Sequence, residues 1–180
     1  MSIEVIENYL TNESFDDLLE VIDNQPWVLQ KKMNPNSVND HQFQFIQDYG
    51  SDPIKNNNPD LFQRVSHKLL FPHLQNKEFD VRIFRCRANL FINTQKESFG
   101  GGFHKDIKNS KDGYYSLLLY LEDSNGATEF KNSGEKIYSK KNKAIIFPCD
   151  LEHQTIFQTD TIFRTNMNVN FQLVDRTKSF

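Results

Sequence analysis

A histidine and an aspartate two residues apart, His104 and Asp106, follow three consecutive glycines in the stretch GGGFHKD, in a chain that has only seven glycines among 180 residues. On a β-strand, residues i and i+2 project from one face, so imidazole and carboxylate would converge on one point. Further along, His153 follows a proline-containing turn in FPCDLEHQTIF. Two histidines and one carboxylate compose the facial triad that leaves three coordination positions open on a non-haem Fe(II). Such donors suit iron better than a soft copper site, and three of them do not close a structural zinc site. The alternative for His153 is a strand histidine held in place by a hydrogen bond.

Two further residues invite a ligand. Arg164 sits in IFRTNMNVNF among Ile162, Phe163, Met167, Val169 and Phe171, and alternation sets Arg164, Asn166, Asn168 and Asn170 on one strand face. That face is either the polar wall of a pocket or a solvated outer surface. If it points inward, Arg164 needs a buried anion, because a guanidinium stays charged. Tyr120 ends the apolar run in YYSLLLYLED, and a buried phenol requires a partner. It either shares an anion with Arg164 or serves as a core aromatic bonded to backbone.

Placing these side chains together demands a β scaffold, and the sequence supplies its pattern. From residue 81 onward the hydrophobic rhythm has period two, through VRIFRCRANLFI, YYSLLLYLE, ATEF, EKIYS, KAIIFP, HQTIF and TIFRTNMNVNFQL, with turn signals DSNG, NSG and PCD between them. Seven or eight short strands of this kind predict a mainly β double-sheet jelly roll. Before them, ESFDDLLEVIDNQPWVLQ predicts an amphipathic helix capped at Ser14 and ending near Pro26, and PDLFQRVSHKLLFPHL a second helix opened by proline with Leu61, Val65 and Leu69 on one face. Residues 31–60 read as loops with a short strand at HQFQFIQ. The expectation is one domain over 1–180, with a helical region at about 1–79 and a jelly-roll core at about 80–173.

His104-x-Asp106, Tyr120-Leu121 on the following strand, Gly126-x-Thr128 after a turn, His153, and Arg164 on the last core strand together resemble the Fe(II)/2-oxoglutarate-dependent dioxygenases. The resemblance is to the prolyl 4-hydroxylase-like branch and its small phage and bacterial relatives, and it covers roughly residues 80–173. It implies a double-stranded β-helix of cupin-like type, Fe(II) on His104, Asp106 and His153, and 2-oxoglutarate with its far carboxylate on Arg164 and Tyr120. It further implies hydroxylation of a substrate with O2, release of succinate and CO2, and ascorbate as an accessory reductant. Prolyl hydroxylases often carry a tyrosine on the strand before His-x-Asp; here Asn89 is the polar stand-in, with Asn168 a second candidate contact to the cosubstrate. The nucleic-acid demethylases of the same kind carry a second arginine where this chain has Asn170, which disfavours base repair.

Composition narrows the remaining choices. Sixteen phenylalanines can fill a core in a chain that buries roughly 70% of its unfolded surface, while a mean hydropathy of -0.65 and the lack of any apolar run near ~18 residues argue against a membrane span. A net charge of -3 gives no support for nucleic-acid binding. MSIEVIENYL has no basic segment ahead of an apolar one, so an intracellular, cytoplasmic protein is expected, in the host cell if phage-encoded. Cys86 and Cys149 are expected as buried reduced thiols. His41, His67 and His73 read as surface or capping residues, Trp27 as a core or helix-end anchor, and KNSKDG and KNNNP as loops near the mouth. The triglycine is expected to form a flexible rim. The substrate class stays open between a protein prolyl residue, a free amino acid and another small metabolite, and the alternative to an enzyme is a non-catalytic jelly-roll module that binds or senses a metal or ligand.

Overall fold

The computed structural model describes residues 3–33, 42–50, 58–74, 79–93, 99–108 and 113–175. In chain order they form β1 (Glu4–Ile6), α1 (Asn12–Asp23), β2 (Val28–Gln30), β3 (Gln44–Gly50), α2 (Pro59–Leu74), β4 (Phe79–Ile92), β5 (Phe99–His104), β6 (Tyr114–Tyr120), β7 (Ala127–Phe130), β8 (Lys136–Tyr138), β9 (Lys143–Pro148), β10 (His153–Ile156) and β11 (Phe163–Asp175).

Both helices arise where the 3,4 spacing of apolar residues predicts them. In α1 the residues Phe15, Leu18 and Ile22 are buried. Its cap is Thr11 rather than Ser14: Thr11 is extended, and its Oγ1 accepts the Ser14 N–H at 3.2 Å. The helix stops before Pro26 because Asn24 closes it, donating from Nδ2 and from its backbone N–H to the Glu20 carbonyl at 2.8 and 3.2 Å. The buried stripe of α2 is Phe62, Val65, Leu69 and Leu70, with Leu61 only partly buried at its margin. The strand expected at HQFQFIQ lies at Gln44–Gly50.

The strands assemble as two antiparallel sheets, one in the order β1-β9-β6-β11-β4-β3-β2 and the other β5-β10-β7-β8. This is a double-sheet jelly roll with helices flanking one face. Its central strand β11 pairs with β4 along its whole length and with β6 from Asn166 to Gln172, and period two divides its side chains. Met167, Val169 and Phe171 join Cys86, Ala88, Leu117, Leu119 and the helix residues Leu18 and Leu69 in the larger core. On the inner side Leu118, Tyr120, Ile145 and Phe147 meet Phe130 and Ile137 of the smaller sheet. A fully buried leucine in these layers contributes about 2 kcal/mol by leaving water.

The inner space between the sheets is where Arg164, Asn166, Asn168 and Asn170 point. All four are buried, Arg164 completely, so the solvated-face alternative does not hold. Cys86 and Cys149 are free and buried; burial pushes the Cys86 thiol above its ordinary range and the Cys149 thiol up to about 12, which keeps both protonated and unreactive.

Candidate active site

His104 is the last residue of β5 and His153 the first of β10, and the two face each other as register partners across that pair of strands. Their rings lie 4.5 Å apart between centroids. Asp106 is beyond the end of β5, in a bend. The convergence of His104 with Asp106 therefore comes from that bend and not from the period of a strand. One ligand atom from each of His104, Asp106 and His153 lies within 4.8 Å of the others. His104 Nδ1 lies 3.2 Å from the Gly102 carbonyl and His153 Nδ1 2.9 Å from the Leu151 carbonyl. A ring that donates Nδ1–H to a carbonyl leaves Nε2 as its lone-pair nitrogen, the form a metal requires.

The glycines before this site belong to strand β5, Gly100 standing opposite Thr155 of β10. They do not form the expected flexible rim. Gly102 has a positive φ, 71°, and the carbonyl met by His104 Nδ1 is its own.

Asp106 is held from several sides. Arg85 Nη2 donates to Oδ1 at 3.0 Å, and Ser116 Oγ and Asn170 Nδ2 donate to Oδ2 at 2.6 and 3.1 Å, with Asn168 Nδ2 at 3.5 Å. Burial by itself would raise its pKa, but the Arg85 charge, His153 and the Ser116 hydroxyl together hold the carboxyl well below the usual range. Asp106 is thus a carboxylate fixed in orientation. Burial and the neighbouring His153 lower the pKa of His104, which favours the neutral imidazole that binds metal.

These three residues open onto a cavity of about 490 Å³, including space continuous with solvent, whose walls include Arg87, Asn89, Phe91, Thr128 and Asn168, with Met33 and Gln44 from the first part of the chain. Asn89 Nδ2 donates to Asn166 Oδ1 at 2.9 Å, while the side-chain oxygens of Asn89 and Asn168 are buried and without a hydrogen-bond partner among the described residues.

Arg164 and Tyr120 stand one layer behind. Arg164 lies over the Phe91 ring at 5.0 Å, and Tyr120 donates to Thr128 Oγ1 at 2.8 Å; Phe91 and Thr128 line the cavity. Nε, Nη1 and Nη2 of Arg164 have no hydrogen-bond partner among the described residues. Burial lowers its pKa to about 10, so the guanidinium remains charged at neutral pH. A buried cation with three unpaired nitrogens calls for a planar anion. The arginine side chain itself lies against Gly126, where a Cβ would lie 2.9 Å from Arg164 Cδ and Nε.

Glu122 caps this corner by accepting the Thr165 N–H, and burial pushes its pKa up to about 7. Since the folded value lies above the unfolded 4.5, its contribution is fully present below about pH 4.5 and disappears as pH rises through about 7. Glu122→Gln keeps the acceptor and loses the titration. Its melting temperature should match wild type at pH 5 and exceed it at pH 8, measured by calorimetry across that range.

Arg85, Ser116 and Arg87 were not singled out from the sequence. The first and last were readable: in RCRAN, alternation places Arg85, Arg87 and Asn89 on the face opposite Cys86 and Ala88. Asn170, one of the three asparagines that alternation sets on the Arg164 face, supports Asp106. His67 and His73 lie on α2, His73 stacked on Tyr9 at 4.0 Å, and Trp27 packs at the margin of the core. His41, residues 55–57 of KNNNP and residues 109–112 of KNSKDG lie outside the described residues. No described helix is long and apolar enough to cross a membrane.

No family model and no curated protein matches the sequence. Solved structures do match the fold. An oxidoreductase of the 2OG-Fe(II) oxygenase family from Burkholderia pseudomallei superposes with a TM-score of 0.73 at 12% identity, over 94% of this chain and 84% of that one. HygX from Streptomyces hygroscopicus, with nickel and 2-oxoglutarate bound, gives 0.61 at 12% identity over 94% and 82%. The viral collagen prolyl hydroxylase of Paramecium Bursaria Chlorella virus-1, in its 2OG complex, gives 0.57 at 16% identity over 97% of both chains. At such identities it is the fold that is shared, and the chain has the double-stranded β-helix fold of the 2OG-Fe(II) oxygenases.

Proposed function

We propose that the protein is an Fe(II)- and 2-oxoglutarate-dependent dioxygenase that hydroxylates a small-molecule or peptide substrate. The observation that carries this reading is the completely buried, unpaired Arg164 guanidinium in a fold whose cavity also presents the His104, Asp106 and His153 cluster. A metal-binding module with no organic ligand would have no use for that arginine.

His104, Asp106 and His153 would hold the metal, and Arg85, Ser116 and Asn170 fix the orientation of the carboxylate donor. Arg164 takes the far carboxylate of 2-oxoglutarate through its paired N–H groups, with the Tyr120 hydroxyl redirected from Thr128 or acting through it. Asn89 and Asn168 line the cosubstrate's side of the cavity. When bound, Fe(II) with 2-oxoglutarate and O2 supplies an oxidative decarboxylation to succinate and CO2 coupled to oxidation of a substrate C–H bond. The inner walls position that bond and limit access of water. Ascorbate would serve to keep the metal reduced, and a cytoplasmic setting suits the free cysteines.

Purified protein given Fe(II) and 2-oxoglutarate in air should release succinate slowly even without its own substrate, and release should stop with a chelator. Absence of both succinate release and Mn(II)-dependent 2-oxoglutarate binding would favour a sensing or binding module instead. Gly126→Ala gives a sharper check: its methyl intrudes on Arg164, so 2-oxoglutarate affinity measured by calorimetry should fall at least about tenfold, a loss of ~1.4 kcal/mol.

A further inference from the structure

The second arginine at the cavity, Arg87, has no role in the scheme above. Its side chain extends from β4 into the space between the sheets, directly opposite Asn168 on β11 and Asp48 on β3, and it forms part of the cavity wall. Its Nε is buried without a hydrogen-bond partner. The carboxylates around it are engaged by others: Asp106 by Arg85, Ser116 and Asn170, and Asp48 by the Gly50 N–H at 3.0 Å. Among the described residues Arg87 has no ion pair within 4.0 Å. Along β4 it stands at the register of Asn168, whereas Arg164 stands at that of Phe91, about 13 Å away along the strand.

Asp106 and Asp48 act on Arg87 only at longer range, and a guanidinium on a cavity wall with no ion pair of its own is a receptor for an anion, its planar fork matching a carboxylate. Resting on the function proposed above, the two carboxylates of 2-oxoglutarate go to the metal and to Arg164. We infer that Arg87 binds a carboxylate of the primary substrate, which is therefore an acid, of the class of free amino acids and aliphatic acids. Arg87 is on this view the specificity residue. It would hold the acid end of the substrate on the wall of the cavity that His104, Asp106 and His153 also line, opposite Asn168.

The test uses protein loaded with Mn(II) and 2-oxoglutarate under argon, titrated calorimetrically with the twenty free L-amino acids and a series of aliphatic mono- and dicarboxylates, each alongside its primary amide. At least one acid should bind tenfold or more tightly than its amide, and Arg87→Gln should erase that difference while Arg87→Lys recovers part of it. The 2-oxoglutarate dissociation constant should change less than twofold in Arg87→Gln, and its melting temperature should change little, because only the longer-range attraction of Asp106 and Asp48 is lost. The inference is overturned if no acid is preferred to its amide, if the preference survives in Arg87→Gln, or if Arg87→Gln loses 2-oxoglutarate instead. Failure of the wild-type protein to bind 2-oxoglutarate at all is a different result, and would remove the proposed function together with this inference.

Discussion

His153→Ala should abolish metal-dependent turnover of 2-oxoglutarate while leaving the protein folded. Loss of one of three ligands removes several kcal/mol of charge stabilisation at the reacting centre, which corresponds to about a thousandfold or more in rate. The structural cost is much smaller. The His153 ring rests edgewise on Phe147 at 4.8 Å and near Phe130 at 6.1 Å, and both phenylalanines keep their contact with each other at 5.1 Å. A destabilisation of about 1–2 kcal/mol follows from the small cavity. Succinate release with saturating Fe(II), read beside a thermal melt, separates the two effects. A well-folded His153→Ala protein that turned over 2-oxoglutarate at the wild-type rate would remove the triad assignment. Arg85→Met acts at one remove, through Asp106 Oδ1, and should cost only about 10–100-fold in metal affinity.

Arg164→Met is expected to move function and stability in opposite directions. The charge-assisted hydrogen bonds lost to the cosubstrate are worth about 1.5–3 kcal/mol each, so 2-oxoglutarate affinity should fall by about 100-fold in calorimetry on Mn(II)-loaded protein. Yet the same guanidinium is a buried cation without a hydrogen-bond partner among the described residues, offset by Phe91 beneath it and at longer range by Tyr120 and Glu122. Replacing a poorly compensated buried charge by an apolar chain of similar length is neutral or stabilising by about 1–4 kcal/mol. The melting temperature of unliganded Arg164→Met should therefore equal or exceed that of wild type. If it drops by several degrees with 2-oxoglutarate affinity unchanged, Arg164 is a structural residue and the cosubstrate pocket lies elsewhere.

What could be read from the sequence was set by how local each signal is. The jelly roll was visible because period-two alternation runs almost unbroken from residue 81, and α2 because proline opens it and apolar residues recur at helical spacing. Strands β1 and β2, three residues each, carry too little pattern to announce themselves; β1 exists because β9 offers it an edge. The convergence of Asp106 on His104 was expected for the wrong reason, since a bend and not a strand produces it. Tyr120 was matched to Arg164 as two hands on one anion, whereas in the ligand-free protein its hydroxyl goes to Thr128. The support of Asp106 by Arg85, Ser116 and Asn170 spans three strands, and no short stretch of sequence contains it.

The division of β11 into two faces has a bearing on how such a protein can change over time. Its odd-numbered residues from Met167 to Phe171 sit in the core under the helices, and its even-numbered ones from Arg164 to Asn170 face the space between the sheets, where Asn166 and Asn168 line the cavity. Heritable variation in what the pocket accepts can accumulate at alternate positions while the intervening ones stay under constraint for folding alone. The same arrangement makes the strand intolerant of a single-residue insertion or deletion, which would exchange the two sets and put asparagines under the helices and methionine on the side of His104, Asp106 and His153.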